Sequence, residues 1–164
     1  MSIIVRNNGF MKETKALNSV AKFHEVFQHP ILEKPTIPSK QRSELRVALL
    51  QEELNELQQA IIDQNMVEIA DALCDIQYVL SGAVLEFGLG ELFSDMFDEV
   101  QRSNMSKACV TEAEAKETVD YYAKQGSEAY YVPINGKYLV YRKSDNKTLK
   151  SVNYSPANLK QFLF

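Results

Sequence analysis

The sequence predicts an all-α protein, a four- to five-helix bundle that carries a small C-terminal β-hairpin. Apolar residues recur at spacings of three and four in five segments before residue 126, which is the pattern of amphipathic helices. Tyr and Val then become frequent, and Asn-Gly at 135–136 and Asp-Asn at 145–146 are turn signals. A chain of 164 residues with 45% hydrophobic residues can bury a sizeable core.

The first two helices are predicted on either side of a proline-rich connection. Residues 13–28 form an apolar stripe with helical spacing, and residues 29–40 hold three of the five prolines, which indicates an extended segment. The second helix is expected over about 44–62 with Ser43 as its N-cap. Its apolar stripe consists of Val47, Leu50, Leu54, Leu57 and Ile61.

The third helix, about 66–87, should return antiparallel to the second because only the short turn 63–65 joins them. It is apolar around most of its circumference, so we expect it to be central, buried by other helices or by a second subunit. Its two apolar sides consist of Ile69, Leu73, Ile76, Leu80 and Val84, and of Ala70, Cys74, Ser81 and Leu85.

A fourth helix is predicted over about 91–103. A fifth begins at a capping box formed by Thr111 and Glu114 and ends near Gly126. We therefore expect a helical domain over residues 1–126 and a small β-rich extension over residues 127–164 that packs on it.

The charges are distributed unevenly along the chain. The net charge is −4, but residues 47–101 contain twelve acids and neither Lys nor Arg. Solvated helices usually alternate the sign of their charges, so this stretch is either an acidic surface or one that a bound cation neutralises. The acidic centre and an isoelectric point near 5.3 disfavour binding to nucleic acid.

The hydropathy, the N-terminus and the cysteines indicate in which compartment to expect the protein. No segment is apolar over the length that a bilayer requires, and the N-terminus lacks the pattern of a signal peptide. Cys74 and Cys109 have no metal-ligand spacing and are typical of free thiols in a reducing cytoplasm, so we expect a cytoplasmic protein. We expect His24, Cys74 and the Phe and Met side chains of the fourth helix to pack in the core rather than to have a chemical role.

Six carboxylates fall on two helical faces that can meet. They are Glu52, Glu53 and Glu56 on the second helix and Glu68, Asp71 and Asp75 on the third. Counted from the turn at about 1.5 Å per residue, Glu56 is level with Asp71. Glu53 and Asp75 are level one turn further along.

Carboxylates this close repel one another unless some protonate or a cation binds between them. Oxygen-only ligands favour Mg²⁺, for which Mn²⁺ can substitute. In phosphoryl chemistry such ions neutralise a polyphosphate and lower the pKa of a bound water. The alternative is that the six acids are the solvated sides of two ordinary amphipathic helices.

These motifs resemble the all-α NTP pyrophosphohydrolases, a superfamily that includes MazG, the phosphoribosyl-ATP pyrophosphohydrolases and the dimeric dUTPases. Glu52-Glu53-Leu-Asn-Glu56 and Glu68-Ile-Ala-Asp71 look like its Glu-Glu-x-x-Glu and Glu-x-x-Asp signature. Residues 99–107, Glu-Val-Gln-Arg-Ser-Asn-Met-Ser-Lys, resemble the MazG-like branch of bacteria and phages, some members of which prefer dUTP. The resemblance touches roughly residues 15–160.

The resemblance implies a helical bundle whose active site is completed by dimerisation, as a dimer or a dimer of dimers. The implied Mg²⁺ ligands are Glu53, Glu56, Glu68 and Asp71. Glu52, Glu53 and Glu56 are the implied catalytic residues, with Glu52 orienting the attacking water or holding a further metal.

The implied substrate-binding residues lie on the third helix and after the fourth. Asn104 and Lys107 correspond to residues that hold the nucleotide and its phosphates, and Asp75 and Tyr78 are expected to face the sugar or the base. Arg102 and Lys150 are weaker candidates for the phosphates. Gln101 stands where relatives often have His.

The function expected from this resemblance is Mg²⁺-dependent hydrolysis of a (d)NTP to a (d)NMP and pyrophosphate. The candidate preferred substrates are dUTP and non-canonical nucleotides. Two alternatives stay open: a phosphoribosyl-ATP pyrophosphohydrolase, and a non-catalytic helical dimer that binds nucleotide.

Overall fold

The computed structural model describes residue 12 and residues 14–164. This part of the chain is mostly helical and ends in one small antiparallel sheet, so the predicted fold class is confirmed. The helices are α1 (Ala16–Phe27), α2 (Lys40–Ile62), α3 (Met66–Glu86), α4 (Phe93–Met105), α5 (Glu112–Lys124) and α6 (Lys160–Leu163). The strands are β1 (Ala129–Ile134) and β2 (Lys137–Arg142). Residue 13, at the start of the first predicted helix, lies outside the described residues.

The chain divides into two compact units between Glu91 and Leu92. The expected helical domain over 1–126 with an extension from 127 stays a prediction, because compact units are not necessarily domains that fold independently. Within the described residues, no helix is both long enough and apolar enough to cross a membrane.

In the first unit, α2 and α3 form a hairpin around a tight turn. Asn65 caps α3, and its side-chain oxygen accepts hydrogen bonds from the backbone N–H groups of Val67 and Glu68 at 3.1 and 3.4 Å. Gln64 has a φ of 53°, which lets the chain reverse within three residues. The short turn predicted at 63–65 is therefore confirmed.

The start of α2 differs from the prediction. Ser39 caps the helix by accepting from the backbone N–H of Arg42 at 3.4 Å, and the predicted cap Ser43 is wrong. Ser43 lies inside the helix, where its hydroxyl donates to the carbonyl of Pro38. Because Pro38 is the last proline of the connection, the helix can begin two residues after it, one turn earlier than expected.

Burial along α3 is asymmetric. Its C-terminal half is buried against α1 and the connection 29–39, whose backbone N–H groups donate to the carbonyls of Leu85 in α3 and of Phe87, the residue that follows the helix. Its N-terminal half leaves Leu73 52% exposed, and Cys74 is exposed as well, so the expected core position of Cys74 is wrong. A second exposed apolar group lies on α2 and consists of Val47, Leu54 and Ile61.

In the second unit, α5 packs on the β-hairpin. Their shared core contains Cys109, Ala115, Ala129, Val140 and Leu149. Asn135 and Gly136 both have positive φ, as a two-residue hairpin turn requires, and Thr111 caps α5 as predicted. On α4, Met96 is buried but Phe97 is 62% exposed, so only part of the expected apolar packing of that helix is present.

Candidate active site

The acidic sides of α2 and α3 lie against each other around Glu53. Glu53 and Asp75 are partly buried, and the other four predicted carboxylates are exposed. The pKa of Glu53 is raised above its ordinary value by burial first and then by four negative charges. These charges belong to Asp75, Glu56, Glu52 and Asp71. Since they come from both helices, the structure brings together five of the six predicted side chains.

Glu68 is the sixth carboxylate and lies nearer the turn. It is exposed in the first turn of α3, where its backbone N–H donates to Asn65. It is absent from the charges that raise the pKa of Glu53. The structure therefore places Glu68 at the edge of the acidic face rather than at its centre.

The carboxylates of the acidic face can be compared with the ligand shell that a divalent cation requires. In residue 12 and residues 14–164, no three carboxylate, imidazole or thiol groups lie close enough together to surround a metal ion as they stand. Every donor on the acidic face is a carboxylate oxygen, and within the same residues none of the six forms a salt bridge. The chemistry of the donors fits a hard cation, while their positions do not form a closed coordination shell.

A buried ion cluster lies on the same two helices, further along. Glu86 is 1% exposed and accepts hydrogen bonds from the guanidinium groups of Arg42 and Arg46, one of them at 3.0 Å from Arg42 Nε. Burial alone would raise the pKa of Glu86, but the hydrogen bonds and charges of the two arginines lower it overall. This acid of the stretch 47–101 is therefore neutralised by arginines that precede the stretch.

His24 of α1 completes this cluster. Its Nδ1 donates to the carbonyl of Pro30 at 2.9 Å, and its Nε2 lies 3.4 Å from Nη2 of Arg46. Burial lowers the pKa of His24 and the charge of Arg46 lowers it further, against the opposing effect of the Pro30 hydrogen bond. The side chain of His24 is 2% exposed, so its predicted core position is confirmed.

Gly82 provides the space for this arrangement. A Cβ atom at this position would lie 2.6 Å from Nη1 of Arg46 and 3.1 Å from Nε2 of His24. Glycine in the middle of a helix costs up to about 1 kcal/mol relative to alanine. The sequence analysis did not single out this cluster, although a glycine inside an apolar helix was a signal of close packing.

A cavity of about 220 Å³ lies between α1, α2 and α3, next to the acidic face. Leu49 and Val79 line it, and each is one helical turn from a carboxylate, Glu53 and Asp75 respectively. Tyr78, predicted to face the sugar or the base, is part of its wall. The ring of Tyr78 meets the ring of Phe23 edge-on at 5.6 Å, and Phe23 stacks on His29 at 5.8 Å.

The other predicted substrate-binding residues lie in the second unit. Lys107 Nζ donates to the side-chain oxygen of Asn104 at 2.7 Å, so these two side chains are neighbours. Lys150 Nζ lies 4.2 Å from the centre of the Tyr154 ring. The pKa of Tyr154 is lowered by its hydrogen bond with Ser103 and by the charges of Lys150 and Lys107. Tyr154, which sequence reasoning did not select as a site residue, thus contacts Lys150.

The guanidinium group of Arg102 already forms hydrogen bonds to other residues of the second unit. Its guanidinium forms a paired hydrogen bond with Glu99 at 2.7 and 2.8 Å and also donates to Ser155 and the carbonyl of Pro156. The same pairing lowers the pKa of Glu99 to about 2. Arg102 therefore has less capacity to bind phosphate than Lys107 or Lys150.

Comparison with known proteins assigns the family. The sequence profile of the phosphoribosyl-ATP pyrophosphohydrolases matches residues 20–104 of the 164-residue chain. The chain belongs to this family. The match spans α1 to α4, with all six carboxylates, Tyr78 and Asn104, and it ends before Lys107. The resemblance to the all-α NTP pyrophosphohydrolases is thereby confirmed.

One relative comes from a virus. An uncharacterized protein of Acanthamoeba polyphaga mimivirus is 37% identical over 75 residues, which is 42% of this chain and 30% of the viral protein. The chain thus covers less than a third of the length of that relative.

Proposed function

We propose that the protein is a Mg²⁺-dependent pyrophosphohydrolase that converts a (d)NTP and water into a (d)NMP and pyrophosphate. The observation that carries this proposal is the meeting of the acidic sides of α2 and α3 around Glu53, where no Lys or Arg of the described residues forms an ion pair with them. A carboxylate whose pKa is raised by burial and by neighbouring acids, without a cationic partner, is typical of a functional site rather than of a stabilising surface. The family match supports the same class of reaction.

In this proposal Glu53, Glu56, Glu68 and Asp71 hold the cation. Mg²⁺, when bound, would neutralise the phosphates and lower the pKa of the attacking water. The side chains of Glu56, Glu68 and Asp71 are exposed and can reorient within nanoseconds, so they are free to close around an ion. Mn²⁺ is expected to substitute because it accepts the same oxygen donors.

The remaining residues act on the water and on the substrate. Glu52 orients the water and accepts its proton as the oxygen bonds to the α-phosphorus. The bond from the α-phosphorus to the bridging oxygen breaks, and pyrophosphate leaves. Lys107, positioned by Asn104, is proposed to offset negative charge on the phosphates as a point charge.

We further propose that the protein works as a homodimer or a dimer of dimers. Helices α2 and α3 expose a set of apolar side chains that a monomer leaves in water, at a cost of about 25 cal/mol per Å². The set consists of Val47, Leu54, Ile61, Met66, Val67, Leu73 and Leu80. Light scattering at several protein concentrations would test the oligomeric state, and a monomer at all of them would contradict it.

The family match favours a second candidate, hydrolysis of phosphoribosyl-ATP. The bond that breaks is of the same kind, so the carboxylates would have the same roles. A non-catalytic dimer that binds nucleotide is the remaining alternative. Substrate panels distinguish the three, because only the last predicts binding without any product.

The test is phosphorus NMR of canonical and modified nucleotides and of phosphoribosyl-ATP, each with Mg²⁺ and with Mn²⁺. We expect a nucleoside monophosphate and pyrophosphate from at least one nucleoside triphosphate. Products that consist of a diphosphate and phosphate, or no product from the whole panel, would contradict the proposal.

Variants then locate the site. Glu56→Gln and Asp71→Asn should each lower turnover at least about 100-fold, because loss of even a residue that supports a ligand costs 10- to 100-fold. The matched control is Glu44→Gln, an exposed acid of α2 that pairs with Lys40. Near-normal turnover in both site variants would exclude these carboxylates as the metal site.

A further inference from the structure

An irregular segment near the end of the chain is hydrogen-bonded to the last turns of α4. This tail segment, residues 151–158, lies between the β-hairpin and α6 and forms neither helix nor strand. Its backbone groups therefore need partners elsewhere. The residues of α4 and of its C-terminal end that it contacts are Glu99, Arg102, Ser103, Ser106 and Lys107. They belong to the stretch 99–107 that resembles the MazG-like branch.

Two serine hydroxyls form part of this connection. Ser103 is 3% exposed, and its hydroxyl lies 3.0 Å from that of Tyr154. Ser106 Oγ donates to the carbonyl of Ser103 at 2.7 Å and accepts from the backbone N–H of Ser155 at 3.0 Å. The hydroxyl of Ser106 thus joins the end of α4 to the tail segment, directly before Lys107.

The ion pair of Glu99 and Arg102 provides a second attachment. Arg102 donates to the hydroxyl of Ser155 at 3.0 Å and to the carbonyl of Pro156 at 3.1 Å. Glu99 accepts from the backbone N–H of Asn158 at 2.8 Å. Because a paired hydrogen bond between arginine and a carboxylate fixes both groups, this pair is a firm anchor for the tail segment.

On its other side the tail segment is anchored to α5. The hydroxyl of Ser151 donates to Glu114, and the backbone N–H of Val152 donates to Thr118 Oγ1 at 3.2 Å. Ser151 and Thr118 are buried. Among the elements of the second unit, all of which the structure describes, neither α5 nor the β-hairpin packs extensively on α4. The tail segment therefore links α4 to the core that α5 and the hairpin share.

We propose that the tail segment is a positioning element of the active site, which holds Lys107 in place for the phosphates. The backbone N–H of Ser151 donates to the carbonyl of Lys107 at 3.2 Å, and Lys107 Nζ donates to Asn104 at 2.7 Å. Ser106 and Tyr154 are positioning residues, because each acts on Lys107 through the end of α4. This inference rests on the proposed function, which assigns Lys107 to the phosphates.

The position of the backbone matters for a lysine that binds phosphate. The ammonium group acts as a point charge on a flexible side chain, so its effect depends on where the backbone places that side chain. A misplacement of about 1 Å, caused far from the chemistry, can cost about 100-fold in rate. The family profile ends at residue 104, so the tail segment lies outside the part of the chain that it matches.

The first experiment measures how ordered the backbone N–H bonds of Asn104 and Lys107 are, by ¹⁵N relaxation without metal or nucleotide. The order parameter should be about 0.85 in the parent and below about 0.6 in Ser106→Ala. Ser106→Thr keeps the hydroxyl and should restore the parent value. The matched control Ser94→Ala, at an exposed serine in the first turn of α4, should change neither residue. Equal order in the parent and in Ser106→Ala overturns the inference.

The second experiment is a double-mutant cycle on kcat/KM with a nucleoside triphosphate that the parent hydrolyses. Lys107→Ala should lower kcat/KM roughly 10- to 100-fold, and Ser106→Ala should lower it at least about tenfold. Because Ser106 acts through Lys107, the double variant should be no slower than Lys107→Ala alone. A purely structural role of Ser106 predicts that the two effects multiply. Effects that multiply, or a normal kcat/KM in Lys107→Ala, overturn the inference.

Tyr154→Phe tests the same connection, even if Ser106→Ala does not fold. It removes the hydroxyl that pairs with Ser103 but keeps the ring beside Lys150. It should lower kcat/KM in the parent and leave that of Lys107→Ala unchanged. Adding Ser103→Ala removes the hydroxyl that Tyr154→Phe leaves unpaired, which should restore stability without restoring kcat/KM. Recovery of kcat/KM together with stability overturns the inference.

The two experiments separate this inference from the proposed function. If a nucleoside triphosphate is hydrolysed but Ser106→Ala and Tyr154→Phe both have normal kcat/KM, the proposed function stands and the inference falls. If no triphosphate is hydrolysed but the order parameters respond as expected, the tail segment does position Lys107 and the proposed function falls.

Discussion

Helices α2 and α3 carry two groups of acids that are compensated in opposite ways. At one end Glu86 is buried and has two arginines for its one carboxylate. Nearer the middle of the two helices, the carboxylates around Glu53 have no basic partner among the described residues. The same pair of helices thus contains one acid that the chain neutralises by itself and one group of acids for which we propose a bound cation.

The pKa values follow this difference. The pKa of Glu86 lies below its ordinary value because the arginines outweigh the effect of burial. The pKa of Glu53 lies above its ordinary value because burial and neighbouring acids act in the same direction. The ionised form is therefore stabilised at Glu86 and destabilised at Glu53, although both are glutamates on the same hairpin.

The largest effect on stability is expected when Glu86 is removed from its ion pairs with Arg42 and Arg46. Glu86→Leu leaves the buried guanidinium of Arg46 without a counter-charge, which should lower the free energy of unfolding by about 3–5 kcal/mol. Urea denaturation measures this change. The control Glu91→Leu removes an exposed acid and should change stability by less than about 0.5 kcal/mol. Equal effects of the two substitutions would contradict the role assigned to the ion cluster.

The uncompensated group should respond to a cation. Mg²⁺ at about 100 times its Kd should raise the free energy of unfolding by about 2.7 kcal/mol, because only the folded chain presents the site. Denaturation in Mg²⁺ and in a potassium salt of equal ionic strength measures the difference. Asp71→Asn should lose most of this gain and Glu44→Gln should keep it. The proposed metal site is excluded if both variants respond equally.

The smallest expected effect is on the pH dependence of stability in the absence of metal. Because the folded pKa of Glu53 lies above 4.5, the folded state binds more protons than the unfolded state there, and stability falls as pH rises through the folded pKa. Glu53→Gln removes this loss, so near pH 7 it should be more stable than the parent by about 0.2–0.5 kcal/mol. Below pH 4.5 the two should converge.

Glu86 has the opposite effect on how the free energy of unfolding depends on pH. Its folded pKa is below 4.5, so the stability it contributes is present above that pH and is lost as pH falls through the folded pKa. Urea denaturation at several pH values measures both trends. A Glu53→Gln variant less stable than the parent near pH 7 would show that the acidic face is not repulsive.

Local patterns were sufficient to predict most elements of the fold. The helices, the hairpin turn at Asn135-Gly136 and the cap at Thr111 depend on residues within a few positions of one another, so periodicity and turn chemistry identify them. The cap of α2 was misplaced because both Ser39 and Ser43 are good caps and the end of the proline connection decides between them.

Local sequence patterns could not predict which residues are buried or which residues distant in sequence form ion pairs. Cys74 has apolar neighbours in sequence, yet only the packing of α1 on the C-terminal half of α3 determines which part of α3 is covered. The helical angles predict that the acids of α2 and of α3 each share one face. The charges that raise the pKa of Glu53 come from both helices, as this prediction requires. The cluster of Glu86 with Arg42 and Arg46 joins positions 40 and 44 residues apart, for which the sequence contains no local signal.

The hydrogen bonds between Glu86 and Arg46 have a consequence for the packing of three helices. An arginine side chain has about 2 kcal/mol of rotamer entropy to lose when its contacts fix it. Here the guanidinium lies between Glu86 and Gly82 of α3 and His24 of α1, so a change in any of these three residues alters the surroundings of the same group. The packing of α1, α2 and α3 at this point thus depends on a single side chain.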